Sequence, residues 1–265
     1  MQRSGNRQVH LRLQQRQQGS VAYLTIDNSR RHNALNGALI GELTDAIGGL
    51  AKDDDLRAVV LSGAGAKAFI AGVDIDEMAA IKDAADAKTF IVRLHRCCAA
   101  LRELTVPVIA RIHGYCFGGG LEIAASCDVR LAADTALFGM PEVKLGIPSV
   151  IEAALLPTLV GFGRAREIVL LGETFTAAEA FAWRLVECVV PAPALDDAVE
   201  TWIGRLLTSQ PRAVRLQKKL IRQWEELSLA QAVAAGIDAF AAAYETDEPR
   251  TAMRDFLARR KKRTK

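Results

Sequence analysis

The feature that most restricts the fold is a change of rhythm near residue 160. Before it, short β-branched runs alternate with helical patterns; after it, almost every segment repeats its apolar residues at helical spacing. Val21 to Ile26 reads as a strand, and Asn36 can cap a helix whose Leu39, Ile40, Leu43, Ala46, Ile47 and Leu50 recur at i, i+3 and i+4. Leu56 to Leu61 is a second strand. Residues 85–104 carry Phe90, Ile91, Leu94, Cys97, Leu101 and Leu104 at helical spacing, and Pro107 leads into a strand through Val108, Ile109 and Ile112, with another at Asp128 to Ala132. Such alternation predicts an α/β core with helices packed on sheets.

The later segment is expected to be almost wholly helical. Thr176 to Glu179 is a capping box, Pro211 starts a helix through Trp224, and Leu229 to Tyr244 and Met253 to Arg260 add two more. Val199, Trp202, Leu206, Leu216, Leu220, Ile221, Phe240 and Phe256 are more apolar surface than so short a segment can hide in itself, so it is expected to pack on another subunit. The expected division is a core at residues 1–198 carrying the active site and a helical oligomerisation region at 199–265. Its last residues Arg259, Arg260, Lys261, Lys262, Arg263 and Lys265 form a basic tail, read as a solvated terminus; without them the formal net charge of +3 becomes −3.

Several function classes fall away. Aromatic residues at 6% supply few platforms for stacking bases, so no nucleic-acid partner is expected. Five cysteines without CxxC spacing suggest neither a disulfide framework nor a zinc site, and His10, His32, His95 and His113 lack ligand spacing, so no metal is expected. No apolar run is long enough for a secretion signal or a membrane span, which points to the cytoplasm and away from a membrane partner.

Two glycine-rich segments follow predicted strands. Gly63-Ala64-Gly65-Ala66-Lys67-Ala68 spells GxGxxA, but Phe69, Ile70 and Ala71 continue extended to Gly72 where a dinucleotide fingerprint needs a helix to open, so it reads as a turn. Phe117-Gly118-Gly119-Gly120-Leu121-Glu122-Ile123-Ala124-Ala125 is different. Three consecutive glycines suit close approach of a ligand or backbone, and the helix that follows would present unpaired N–H groups to a developing anion. Glu122 is a lone acid in an apolar run, costly unless paired or used. With Glu142, just after Pro141, it could form a general acid/base pair whose burial raises at least one pKa; a surface position for Glu142 is the plainer alternative.

Taken in order, Asn33-Ala34-Leu35-Asn36, Arg57 to Gly63, Phe69-Ile70-Ala71-Gly72-Val73-Asp74-Ile75, His113 to Glu122 and Phe138-Gly139-Met140-Pro141-Glu142 resemble the crotonase, or enoyl-CoA hydratase/isomerase, superfamily over roughly residues 20–260. The resemblance implies a spiral of ββα units ending in a helical trimerisation region, assembled as a homotrimer or dimer of trimers. It implies an acyl-CoA substrate and no separate cofactor, coenzyme A being part of the substrate. The thioester oxygen would be held by the backbone N–H groups of Val73 and Gly119. Such a donor is typically worth about 2.7–4 kcal/mol where measured in other enzymes. Glu142 would protonate C2 while Glu122 orients the water that attacks C3, giving a 3-hydroxyacyl-CoA.

Arg31 falls where the family often places a basic residue near the CoA phosphates, and Ala71 and Ile75 would meet adenine through backbone groups. Gly72, Asp74, Gly118, Gly120, Pro141 and Ser149 complete the substrate's expected surroundings. Two departures stand out. Asp76 occupies a position that is often Lys, and Ser149-Val150-Ile151-Glu152 replaces a glycine-rich continuation after Gly146-Ile147-Pro148, which should narrow or re-aim the acyl pocket. Glu152 itself has a surface ion pair as its plainest reading. Isomerase, hydrolase, decarboxylase and dehalogenase branches of the family, and a non-catalytic RNA-binding or scaffold member, are the alternatives to hydration.

Overall fold

The computed structural model describes residues 8–263. The chain opens with a hairpin, β1 (Val9–Arg16) antiparallel to β2 (Gly19–Ile26). After β2, Asn36 Oδ1 accepts from the Leu39 amide at 2.8 Å and starts α1 (Gly37–Leu50), whose predicted apolar stripe is buried. Three strand–strand–helix turns then wind as a spiral. Strands β3 (Leu56–Gly63) and β4 (Ala68–Ile70) lead to α2 (Ile75–Ala79) and α3 (Ala84–Glu103). Strands β5 (Val108–Ile112) and β6 (Tyr115–Phe117) lead to α4 (Gly119–Ala125). Strands β7 (Val129–Ala133) and β8 (Leu137–Gly139) lead to two 3-10 turns, Pro141–Leu145 and Ile151–Leu155, and α5 (Leu156–Leu171), kinked at Gly161.

In each turn the first strand joins one sheet and the second joins another. The larger sheet has the order β1-β2-β3-β5-β7 and closes with β10 (Cys188–Val190); the smaller is β4-β6-β8 with the antiparallel β9 (Thr174–Thr176), followed by α6 (Ala177–Ala182). Parallel pairing aligns the C-terminal ends of β4, β6 and β8, so the loops after them, which carry Gly72, Gly118 and Glu142, emerge together. Ligands of open parallel sheets gather at that end.

The main core fills the space between the sheets and helices α1, α3 and α4. A second core lies on the opposite face of the larger sheet, where Leu195, Val199 and Ile203 of α7 (Leu195–Leu207) cover Val21, Ala58, Ile109 and Leu131. The division expected at residue 198 therefore falls inside a helix that packs on the core. Helix α8 (Pro211–Trp224) is tethered by buried Lys218, whose Nζ donates to Asp128 Oδ2 at 2.7 Å and Val106 O at 2.9 Å. Helix α9 (Leu229–Ala243) buries no residue in the single chain.

Three findings correct the sequence reading. The region after residue 160 is not wholly helical, since β9 and β10 extend the two sheets there. The helix expected at Met253 to Arg260 is longer, since α10 (Glu248–Arg263) starts before it and runs on into the basic tail. Lys265 lies outside the described residues. Helix α2, capped by the Asp74 carboxylate, was not anticipated.

Candidate active site

Position 118 is a glycine for two reasons. Its backbone has φ +50°, and a Cβ there would sit 2.6 Å from Glu142 Oε1. The Gly118 amide is spent on Gly139 O, which pins the end of β6 to β8. Gly119 then begins α4 with an amide that has no helical carbonyl to donate to. Gly120 keeps α4 against β4, because a Cβ there would meet Ile70 O at 2.2 Å.

On the other side, Leu35 bridges to Val73 in parallel fashion, its amide donating to Gly72 O and its carbonyl accepting from Asp74. Alternation along an extended chain then turns the Val73 N–H away from Leu35. Val73 and Gly119 are neighbours: a Cβ on Gly119 would lie 3.0 Å from Val73 Cγ2. Both line a cavity of about 590 Å³ together with Ala71, Gly72, Ile75, Gly118, Pro141, Glu122 and Glu142.

Glu122 is 4% exposed. Its Oε1 accepts from the Ala153 amide at 3.3 Å. Burial, and after it the charge of Glu142, pushes its pKa up to about 8, against the opposing pull of the Ala153 amide; the Glu152 charge adds to the rise. Glu142 is half-buried and is also raised by burial, opposed by a backbone amide and by Ser149 Oγ, which donates to Glu142 Oε2 at 2.9 Å. Both carboxyls therefore keep a proton more readily than a free glutamate does. Two such carboxyls on the lining of one cavity can pass a proton to and from a guest molecule.

Not every expected residue reaches the cavity. Arg31 is half-exposed and donates to Asp74 Oδ2 at 2.7 Å and Asp76 Oδ2 at 2.8 Å, so the unexpected acid at 76 neutralises the cation expected to face phosphate. Asp74 caps α2 and holds Arg31. Gly120 serves packing, and Ser149 acts on Glu142 from a small adjoining cavity.

Residues missed in the sequence include Phe90, Ile91 and Leu94 of α3, together with Met78 and Ile81, which give the cavity an apolar wall; Val150, expected to narrow the acyl pocket, lines it too. The same stripe of α3 that meets the core also meets the cavity, so its period could not separate the two. Next to Val150, Ile151 adopts φ +39°, a conformation that strains a β-branched residue by about 1–3 kcal/mol. Glu152 is no surface group: its side chain is 8% exposed, with Oε1 2.9 Å from His95 Nδ1. Among the described residues no cluster of three or more His, Cys, Asp or Glu is placed to hold a metal ion, and no helix is long and apolar enough to cross a membrane.

Comparison with known proteins gives the family. The sequence profile of the enoyl-CoA hydratase/isomerase family matches residues 16–265. The short-chain-enoyl-CoA hydratase of Clostridium acetobutylicum is 35% identical over 245 residues, covering 92% of this chain and 94% of the relative. The crotonyl-CoA hydratase of Syntrophomonas wolfei is 34% identical over 242 residues, covering 91% and 93%. The crystal structure of an enoyl-CoA hydratase from Bacillus anthracis superposes with a TM-score of 0.89 at 29% identity, covering 95% of this chain and 96% of that one.

Proposed function

The chain belongs to the enoyl-CoA hydratase/isomerase family, and we propose that it is an enzyme that hydrates 2-enoyl-CoA thioesters to 3-hydroxyacyl-CoA, with Glu122 and Glu142 as its acid/base pair. The observation that carries this reading is that Glu122 and Glu142, the first held well above the usual carboxylate range by burial, line one cavity with Val73 and Gly119.

In this reading the thioester oxygen accepts from Val73 and Gly119. Protonated Glu122 holds the water, and the Glu142 carboxylate takes a proton from it as its oxygen bonds to C3. The C2=C3 electrons move toward the thioester oxygen, where each amide stabilises the enolate by about 2.7–4 kcal/mol. Glu142 then returns the proton to C2. One water has been added, and both glutamates end as they began. Coenzyme A arrives with the substrate. With Arg31 engaged by Asp74 and Asp76, the CoA phosphates would be met by other groups or only after that contact opens.

Assembly as a homotrimer or a dimer of trimers belongs to the same proposal. It is supported by the exposed apolar side chains of α9 and α10, among them Leu229, Ile237, Phe240 and Phe256.

Incubation with crotonyl-CoA should bleach the conjugated enoyl chromophore and yield a product heavier by one water. Release of free CoA would assign the hydrolase branch instead, and an isomeric product of unchanged mass from a 3-enoyl-CoA the isomerase branch. Inactivity across short, long, branched and aromatic enoyl-CoAs would overturn the proposal.

A further inference from the structure

The segment from Ser149 to Ala153 touches both glutamates: Ser149 Oγ donates to Glu142 and the Ala153 amide donates to Glu122. Between these two contacts lie the left-handed Ile151 and the buried Glu152. Glu152 has only one of its oxygens satisfied. Oε1 meets His95 Nδ1, while Oε2 is buried with no hydrogen-bond partner among the described residues. A half-satisfied buried carboxylate weakens a fold, and a neutral residue would fill the space at lower cost. Such costs are kept where a site uses them.

We propose that Glu152, gripped by His95, is a positioning residue of the hydration reaction: it anchors the turn whose Ala153 amide holds Glu122, and it places a fixed negative charge behind that acid. The inference rests on the acid/base reading given above.

The surroundings of Glu152 favour an electrostatic role. From α3 it is faced by His95, Cys97 and Cys98, and from α4 by Glu122. Burial pushes both thiols far up, so they stay uncharged at neutral pH. Glu142 is reached only through Ser149. On α5, Arg166 lines the small cavity shared with residues 149–151 and 153–154, and its guanidinium sits over Phe162. With the thiols uncharged, the negative charge of Glu152 opposes loss of the Glu122 proton, adding to the larger effects of burial and of the Glu142 charge. Neither Glu152 nor His95 lines the substrate cavity, so binding should not depend on them.

The test is the pH dependence of crotonyl-CoA hydration by the full-length protein. Glu152→Gln keeps the shape and removes the charge. It should lower kcat at pH 8 roughly three- to tenfold, leave KM within about twofold, and move the alkaline limb of the profile toward lower pH by about half a unit or more. His95→Ala acts from the exposed side of the pair and does not disturb the core. By freeing the Glu152 carboxylate to swing away from Glu122 it should weaken the charge felt there, and so reproduce the shift. His95→Asn offers an amide donor near the place of Nδ1 and should restore the parental limb. If Glu152→Gln and His95→Ala are folded by circular dichroism yet keep the parental kcat and alkaline limb, the inference is overturned. A drop in melting temperature with an unmoved limb also overturns it, since that is the mark of a merely structural pair. Should Glu152→Gln fail to fold, the two His95 variants decide alone. Absence of turnover in the parent would instead overturn the hydratase reading, and the inference with it.

Discussion

Burial in a place with little water, and after it the charge of Glu142, holds the Glu122 carboxyl well above the ordinary range. The rate should therefore fall above pH about 8 as Glu122 ionises, and fall in acid as Glu142 takes up a proton above the ordinary carboxylate range. A bell-shaped profile of kcat/KM for crotonyl-CoA checks both limbs. Glu142→Gln should fold normally and lose turnover by about 10²–10⁴-fold, the range general acid/base groups supply. Stability must show the same proton. The folded pKa of Glu122 is raised, so its contribution is fully present below the unfolded carboxylate pKa and is lost as pH rises toward 8, by on the order of 4 kcal/mol. Glu122→Gln cannot lose it. Thermal melts should show the variant gaining on the parent between pH 5 and pH 9, and parallel curves would refute the assigned proton.

At the scale of elements, the site depends on how closely α4 lies against β4. Gly120→Ala forces a methyl group into Ile70 O, so α4 must withdraw, carrying Gly119 and Glu122 with it. Denaturant unfolding should register a loss of about 1–3 kcal/mol or more, the usual cost of overpacking. The kcat should fall more than KM rises, since the reacting groups move while the α3 wall stays. Elements with one strong determinant were legible in the sequence: α1 from its Asn36 cap and stripe, β3 and β5 from β-branched runs, α4 from its glycines and apolar run. Those lacking one were not. Strand β1 wets most of its length and mixes Arg and Gln with its apolar residues, and β9 and β10 have three residues each, too few for a period. Glu122 and Glu142 were readable because an acid stands out beside glycines and Pro141. Their supports were not: Ser149 and Ala153 are near Glu142 in sequence, but only the folded turn shows that one reaches each glutamate.

Over the whole molecule, the main unfinished business is on the terminal helices. Leu229, Val233, Ile237 and Phe240 of α9 and Met253, Phe256 and Leu257 of α10 are more than half exposed, a larger apolar area than a monomer in water ordinarily shows. At micromolar concentration the protein should scatter light as three or six copies of the 28.7 kDa chain. The double substitution Ile237→Lys and Phe240→Lys should shift it to smaller species, because burying two ammonium groups in an apolar seam costs more than the contacts return. A parent that elutes as a monomer would refute the assembly. The same variant separates assembly from chemistry. The two carboxylates, the two amides and the α3 wall all come from residues 71–150 of one chain, on elements that α9 does not form. Dissociation should therefore lower the melting temperature while any folded monomer still hydrates crotonyl-CoA. Complete loss of turnover in a folded, dissociated variant would mean that a neighbouring copy supplies part of the site.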